Sequence, residues 1–207
     1  DSQSRKLWNG SAIGASPLHD ETAGVVGFGR IGKSTARKLL AFKMRVLVYD
    51  PFVSPDDIRK ENCIPADLPT IMKESDYVVL NCPLSDQTRG MIGEAQLRMM
   101  KKTAYLVNVS RGGVADEKAL IKALNEGWIA GAGLDVFEKE PILNDNPLRG
   151  MSNVILTPHA GSYSPAAYKK LRDDAVMQCV QILRGEWPEY LYNPEIKDKL
   201  DISKLWK

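Results

Sequence analysis

The chain is poor in the residues that build metal centres and disulfide frameworks. Two histidines and three cysteines serve 207 residues. Cys63, Cys82 and Cys179 are an odd set with no Cys-x-x-Cys spacing, and with only His19 and His159 beside them they form no ligand cluster. No metal is expected, and reduced thiols in a cytoplasmic protein are the simplest reading. Neither sign of charge dominates: 28 Lys and Arg face 26 Asp and Glu, for a formal charge of +2. With no basic block and no aromatic-basic stripe, no nucleic-acid partner is expected. No apolar run approaches the roughly 20 residues of a membrane span, and no signal-peptide pattern opens the chain, so no membrane partner is expected either. The first residue is Asp1 rather than Met, which suggests a processed or truncated product.

What remains is ordinary for a soluble globular protein, with 43% hydrophobic and 26% charged residues. The length fits one generous domain, or one domain with an appendage, and such a chain buries well over half of its unfolded surface.

The stretch from Thr22 to Lys33 organises the rest. An apolar run, Val25-Val26, leads into Gly27-Phe28-Gly29-Arg30-Ile31-Gly32, and a helix-favouring run follows to Lys43, with Ala36, Leu39, Leu40 and Phe42 as its apolar positions. This is the strand, tight turn and helix start of a dinucleotide-binding unit. Gly27 allows the turn, Gly29 lets backbone approach a pyrophosphate, and Gly32 lets the helix pack closely. N–H groups at the helix start then face the phosphates. Alone the hexapeptide is weak, since glycine turns without ligands are common. A second Val-rich strand, Met44 to Tyr49, strengthens it by ending at Asp50, eighteen residues after Gly32. An acid there accepts hydrogen bonds from the adenosine ribose and repels a 2′-phosphate. Pro51, Phe52 and Val53 follow, without an Arg to neutralise one, so NAD is favoured over NADP. The alternative for Asp50 is an ordinary strand-end turn acid.

Strand and helix alternate along the rest. Strands are expected over Ala23–Gly27, Arg45–Tyr49, around Ile64, and over Asp76–Cys82, Ala104–Ser110, Gly131–Phe137 and Asn153–Thr157. Helices are expected over Ile31–Phe42, from Ser54-Pro55, and over Asp67–Lys73, Gly93–Met100, Asp116–Glu126 and Pro165–Arg184. The strands are apolar on both faces, which predicts a parallel sheet covered on both sides, an α/β doubly wound fold. The last helix is read as a core helix with Leu171, Ala175, Val176, Cys179, Ile182 and Leu183 inward, and the tail from Gly185 as an extended arm. The chain divides into a leading loop (1–20), a dinucleotide-binding domain (21–162) and a C-terminal helix and arm (163–207).

In such a sheet ligands bind at the carboxyl ends of the strands. Cys82-Pro83, Ser110-Arg111, Asp135 and Pro158-His159 fall there, and Glu140 joins from the loop after Phe137. Taken singly each has a plain alternative: a surface charge for Arg111, a loop histidine for His159, a turn acid for Glu140, a buried core thiol for Cys82.

The strings Val26–Gly32, Asn108–Leu120, Gly133–Pro141 and Thr157–Gly161 resemble the NAD-dependent D-2-hydroxyacid dehydrogenases, a family that includes D-3-phosphoglycerate dehydrogenases and glyoxylate/hydroxypyruvate reductases. The resemblance runs from Thr22 to about Gly185. It implies a Rossmann-type NAD-binding domain and hydride transfer between NAD(H) and a small 2-hydroxy or 2-oxo acid. It implies that His159 moves the proton, that Glu140 orients the imidazole and stabilises its charged form, and that Arg111 binds the substrate carboxylate. It further places Arg30 and Ile31 at the phosphates through backbone amides, Cys82 on the adenosine side and Val109 near the nicotinamide, with Pro83 and Ser110 also among the cofactor contacts. Asp135 would hold the carboxamide, and Gly161 would leave room beside the ring. Family subunits are two-domain homodimers whose substrate domain arises mostly from a leading segment. About twenty residues precede the first strand here, so the resemblance implies the cofactor-binding half. A second reading from the same resemblance is an NAD-sensing, corepressor-like protein, or an inactive cofactor-binding fragment.

Overall fold

The five residues of β1 (Thr22–Val26) are all buried, because a strand with neighbours on both edges and helices on both faces has no solvent side. The computed structural model describes residues 17–204. Around β1 a seven-stranded sheet is laid in the order β3-β2-β1-β4-β5-β6-β7, every pair parallel. The other strands are β2 (Arg45–Tyr49), β3 (Ile64–Pro65), β4 (Tyr77–Leu80), β5 (Tyr105–Asn108), β6 (Gly131–Leu134) and β7 (Val154–Leu156). The order reverses between β1 and β4, so the chain winds outwards both ways and leaves a crevice there.

Helices α1 (Arg30–Ala41), α2 (Pro55–Lys60), α3 (Leu68–Glu74), α4 (Glu94–Met99) and α5 (Glu117–Asn125) make the crossovers. Their starts follow local chemistry. Ser54, Asp67 and Asp116 each accept a hydrogen bond from the backbone N–H three residues on, and Pro55 and Pro69 lie in the first turns. Helix α5 buries Ala119, Leu120, Ala123 and Leu124 as its period predicts; a buried leucine there contributes about 2 kcal/mol. Helix α1 begins one residue earlier than expected, and Phe42 caps its end rather than packing inside. The edge strand β7 is shorter than expected and exposes Ile155, so the two-sided cover stops there.

Register fixes the functional edge. Tyr49 pairs with Val26, Val26 with Leu80, Leu80 with Asn108, Asn108 with Leu134 and Leu134 with Leu156. Six strands therefore end in one row, and the residues after each leave the sheet on the same side.

The described chain divides into two compact units at His159/Ala160. In the second, α6 (Pro165–Leu183) is capped by Ser164 and carries Lys169–Asp173 and Lys170–Asp174 pairs. It buries no residue. Leu171, Ala175, Val176, Cys179 and Leu183 are exposed and Ile182 is only partly covered, which corrects the expectation of a core helix. An apolar stripe marks the face a helix prefers to bury; it does not supply the surface that covers it. The tail is not a simple extended arm either. The chain turns at Gly185 (φ 76°), forms 3-10 turns at Pro194–Asp198 and Ile202–Lys204, and buries Pro188 and Ile202, bringing Ser203 against Gly185. Most of the leading loop read over residues 1–20, with Trp8, lies outside the described residues. No helix among those described is long and apolar enough to cross a membrane.

Candidate active site

The turn after β1 is built by exclusion of side chains. Gly27 has φ 93°, and a Cβ there would meet the backbone N of Cys82 at 2.6 Å. A Cβ on Gly32 would come 2.0 Å from the Gly27 carbonyl oxygen, so this glycine keeps the helix start against the turn. A Cβ on Gly29 would meet nothing within 4 Å. That open space at the start of α1 is what a ligand would use. No side chain caps α1 and its first turn carries no acid, so its N-terminal dipole is left for an anion. Ile31 is exposed beside it.

Asp50 follows β2 in the row. Its Oδ2 accepts the Phe28 N–H at 2.7 Å, and its Oδ1 accepts the Phe52 N–H at 2.9 Å. The carboxylate braces the glycine turn from the neighbouring strand, and each oxygen keeps a lone pair for a further donor. It lines a cavity of about 490 Å³ with Gly27, Cys82 and Pro83. Cys82 is nearly fully buried, and burial pushes its thiol up, with the Asp50 charge adding to the shift. It is a core thiol and a wall of the groove at once. A second cavity, also about 490 Å³, runs on through Ile31, Cys82, Pro83, Val109, Ser110 and Arg111.

A third, of about 650 Å³, is lined by Arg111, Glu140 and His159. Shared walls join the three into one groove: Cys82 and Pro83 between the first two, Leu84 and Arg111 between the last two. Neighbouring strands stand about 4.8 Å apart, so a groove crossing from β2 to β6 spans roughly 20 Å. It is long enough for an extended dinucleotide.

The end near β6 and β7 gathers ionisable side chains. Glu140 Oε1 accepts the Phe137 N–H at 3.0 Å, and Oε2 meets His159 Nδ1 at 2.7 Å. A carboxylate only accepts, so Nδ1 carries the proton and Nε2 is the ring nitrogen left for other work. Burial alone raises the Glu140 carboxyl, but the His159 hydrogen bond, the Phe137 N–H and the charges of His159 and Arg111 together hold it below the usual range. His159 sits at φ 52°, a left-handed conformation that costs about 1–2 kcal/mol outside glycine. Two hydrogen bonds hold it there: Thr157 N–H to Leu134 C=O, and His159 N–H to Thr157 C=O. Thr157 also donates its hydroxyl to Asp135 Oδ1 at 2.6 Å, fastening the ends of β6 and β7.

Arg111 leaves β5 through a turn that buried Asn108 builds. Asn108 Oδ1 accepts from the Ser110 N–H and hydroxyl, and its Nδ2 donates to the Arg111 carbonyl. The Arg111 guanidinium donates to the Ser110 carbonyl and makes no ion pair among the described residues. A Cβ on Gly112 would fall 1.9 Å from the Phe137 carbonyl carbon. Gly112 thus presses the Arg111 turn against the loop that carries Glu140. The strand-breaking role of Arg111-Gly112-Gly113 is legible in sequence. The task of Gly112 is not, because it depends on a loop twenty-five residues on. Gly161 lies in the second unit and is exposed.

The profile of a family described as "D-isomer specific 2-hydroxyacid dehydrogenase, NAD binding domain" matches residues 1–161. The chain belongs to this family. Among curated members, a glyoxylate reductase of Korarchaeum cryptofilum is 48% identical over 180 residues, 86% of this chain and 54% of that protein. One of Thermofilum pendens is 43% identical over 204 residues, 97% and 59% of the two chains. Among solved structures, a D-lactate dehydrogenase with NAD+ from Lactobacillus jensenii superposes with a TM-score of 0.80 at 30% identity, covering 88% of this chain and 58% of its own. The D-lactate dehydrogenase of Aquifex aeolicus, complexed with NAD and lactic acid, gives 0.77 at 35%, covering 86% and 58%. The chain spans about half the length of the curated relatives it matches. The NAD-binding domain of D-2-hydroxyacid dehydrogenases thus accounts for the glycine turn, the sheet order and the groove together.

Proposed function

We propose that this chain is the cofactor-binding part of an NAD-dependent dehydrogenase that interconverts a small D-2-hydroxy acid and its 2-oxo acid. The observation that carries the reading is the grouping of Arg111, Glu140 and His159 on one cavity, with the imidazole Nδ1 engaged by Glu140 and Nε2 left over. Bound NAD(H) supplies or takes the hydride. The open flank of Gly29, the uncapped start of α1 and the remaining lone pairs of Asp50 suit its phosphates and ribose. The backbone amides of Arg30 and Ile31, the walls Cys82, Pro83, Val109 and Ser110, and the acceptor Asp135 complete the cofactor's side.

His159 holds a proton on Nε2 when charged and releases it to an oxygen that gains negative charge. In reverse it takes the proton from the hydroxyl. Glu140 keeps the ring oriented and compensates its positive charge. Arg111 grips the carboxylate with its planar fork and places a second positive charge near the developing oxyanion. A homodimer through this domain and a cytoplasmic setting belong to the same proposal.

The test is direct. The protein is mixed with NADH and glyoxylate, pyruvate or hydroxypyruvate, and nicotinamide absorbance is followed. Turnover of at least one supports the reading. Tight NADH binding with no turnover of any 2-oxo acid sinks it and favours an NAD-sensing role.

A further inference from the structure

Arg89 is a guanidinium for which the reaction above has no use. It follows the turn Pro83–Thr88, which Thr88 closes: its hydroxyl donates to the Pro83 carbonyl at 2.6 Å and accepts the Ser85 N–H at 2.8 Å. Beyond it the backbone is laced to the segment after Arg111. Gly90 N–H donates to Gly113 C=O at 2.8 Å, Ile92 N–H to Val114 C=O at 3.1 Å, and Asp116 N–H to Ile92 C=O at 3.0 Å. The two arginines therefore stand on neighbouring segments tied by hydrogen bonds, and both line the cavity of Glu140 and His159. The Arg89 guanidinium lies over Gly113, where a Cβ would come within 3.4 Å of it.

The Arg89 guanidinium has no ion pair and no hydrogen-bonded partner among the described residues, although its backbone N–H donates to the Ser85 carbonyl. The acids around the cavity are engaged elsewhere. Asp116 Oδ1 accepts the Ala119 N–H and Glu138 Oε1 the Glu117 N–H, while Glu140 holds His159. Asp116, Glu138 and Glu140 line the same cavity and offset the charge of both arginines, but none of them forms an ion pair with Arg89. Its guanidinium donors are left for an anionic group that enters the cavity, and one carboxylate on a short acid held by Arg111 does not reach them as well. We propose that Arg89 receives a second anionic group at the far end of the substrate. The favoured substrates are then dianionic 2-oxo acids, in which a distal carboxylate or phosphate meets its planar fork. This inference rests on the dehydrogenase reading and names the substrate class for that site.

Oxamate and N-oxalylglycine share the 2-oxo carboxylate head and differ by a distal carboxylate. Each is titrated into the protein loaded with NADH, with nicotinamide fluorescence as the readout. N-oxalylglycine binds at least about tenfold more tightly, the size of one charge-assisted contact. Arg89→Met reduces that preference to about twofold or less, Arg89→Lys restores part of it, and raising the salt weakens it. Steady-state kinetics then separate the two distal groups: phosphohydroxypyruvate preferred over oxaloacetate and glyoxylate indicates phosphate, and oxaloacetate preferred indicates carboxylate. No advantage for N-oxalylglycine, a kinetic preference for glyoxylate over both dianions, or equal weakening of both probes by Arg89→Met overturns the inference and leaves the dehydrogenase reading standing. Failure of both probes to bind, together with no turnover of any 2-oxo acid, removes both.

Discussion

The two ends of the groove each hold an acid that accepts two hydrogen bonds, and they use it differently. At the β2 end both oxygens of Asp50 take backbone N–H groups, from Phe28 and Phe52. At the β6–β7 end one oxygen of Glu140 takes a backbone N–H and the other takes an imidazole. The first acid fixes main chain, so losing it disturbs the turn itself. The second fixes a side chain, so losing it frees a ring while the loop keeps its other ties. A carboxylate gives a scaffold in one place and a tunable group in the other. The β2 end should therefore answer mutation mainly through folding and cofactor affinity, and the other end mainly through rate.

His159→Gln sharpens this division most. General acid–base catalysis contributes roughly 10²–10⁴-fold, so kcat should fall by about a thousandfold while NADH affinity, read by fluorescence titration, stays within about threefold. A parallel loss of both would show that the imidazole end also holds the cofactor.

Gly32→Ala and Gly29→Ala break the β2-side comparison from within. The added methyl at Gly32 collides with backbone at 2.0 Å, so it should destabilise by more than about 2 kcal/mol in urea unfolding. At Gly29 it meets open space. There the urea midpoint should barely move, yet NADH affinity should drop about tenfold as the methyl enters the ligand's volume. A Gly29→Ala protein that binds NADH normally would show that no phosphate approaches this turn.

Asp50→Ala should do both, on a smaller scale. Two backbone N–H groups lose their acceptor, a cost of about 1–3 kcal/mol. Preference for NADH over NADPH should also narrow, since the charge that repels a 2′-phosphate is gone. If the cofactor ratio stays fixed while stability falls, Asp50 is a brace and nothing more.

The sheet, its parallel sense and the edge that carries the groove were legible because each rests on a local signal: valine runs with no polar face, turn glycines, and helix starts marked by Ser54, Asp67 and Asp116. Arg111 and His159 were legible because parallel strands in register bring every strand end to one edge. The inward face assigned to α6 failed for a physical reason. Periodicity is a property of one helix, whereas burial needs a partner surface. Gly112 and Arg89 escaped notice because their roles come from contacts between segments far apart in sequence, and Asn108 because its role lies in a turn whose geometry the residue types do not specify. Buried Asn108, at the end of a run of apolar residues, was the one available hint, since a polar side chain in that position needs partners.

The smallest expected effect tests the Glu140 end by pH. The His159 hydrogen bond, the Phe137 N–H and the positive charges nearby hold the Glu140 carboxyl below its ordinary range, against the upward push of burial. A group whose folded pKa is lowered stabilises the fold above its unfolded value, about 4.3 for a glutamate. That contribution is lost as pH falls through the lower folded value. The side chain is about a third exposed, so solvent screening keeps the contribution under about 1 kcal/mol. The urea midpoint of Glu140→Gln should thus lie slightly below that of the parent at pH 7, and the gap should close as pH falls below about 4. A gap that persists at pH 3 would place the cost in the lost geometry of the Phe137–Glu140 turn. Glu140 would then be a main-chain brace like Asp50, and the contrast between the two ends of the groove would disappear.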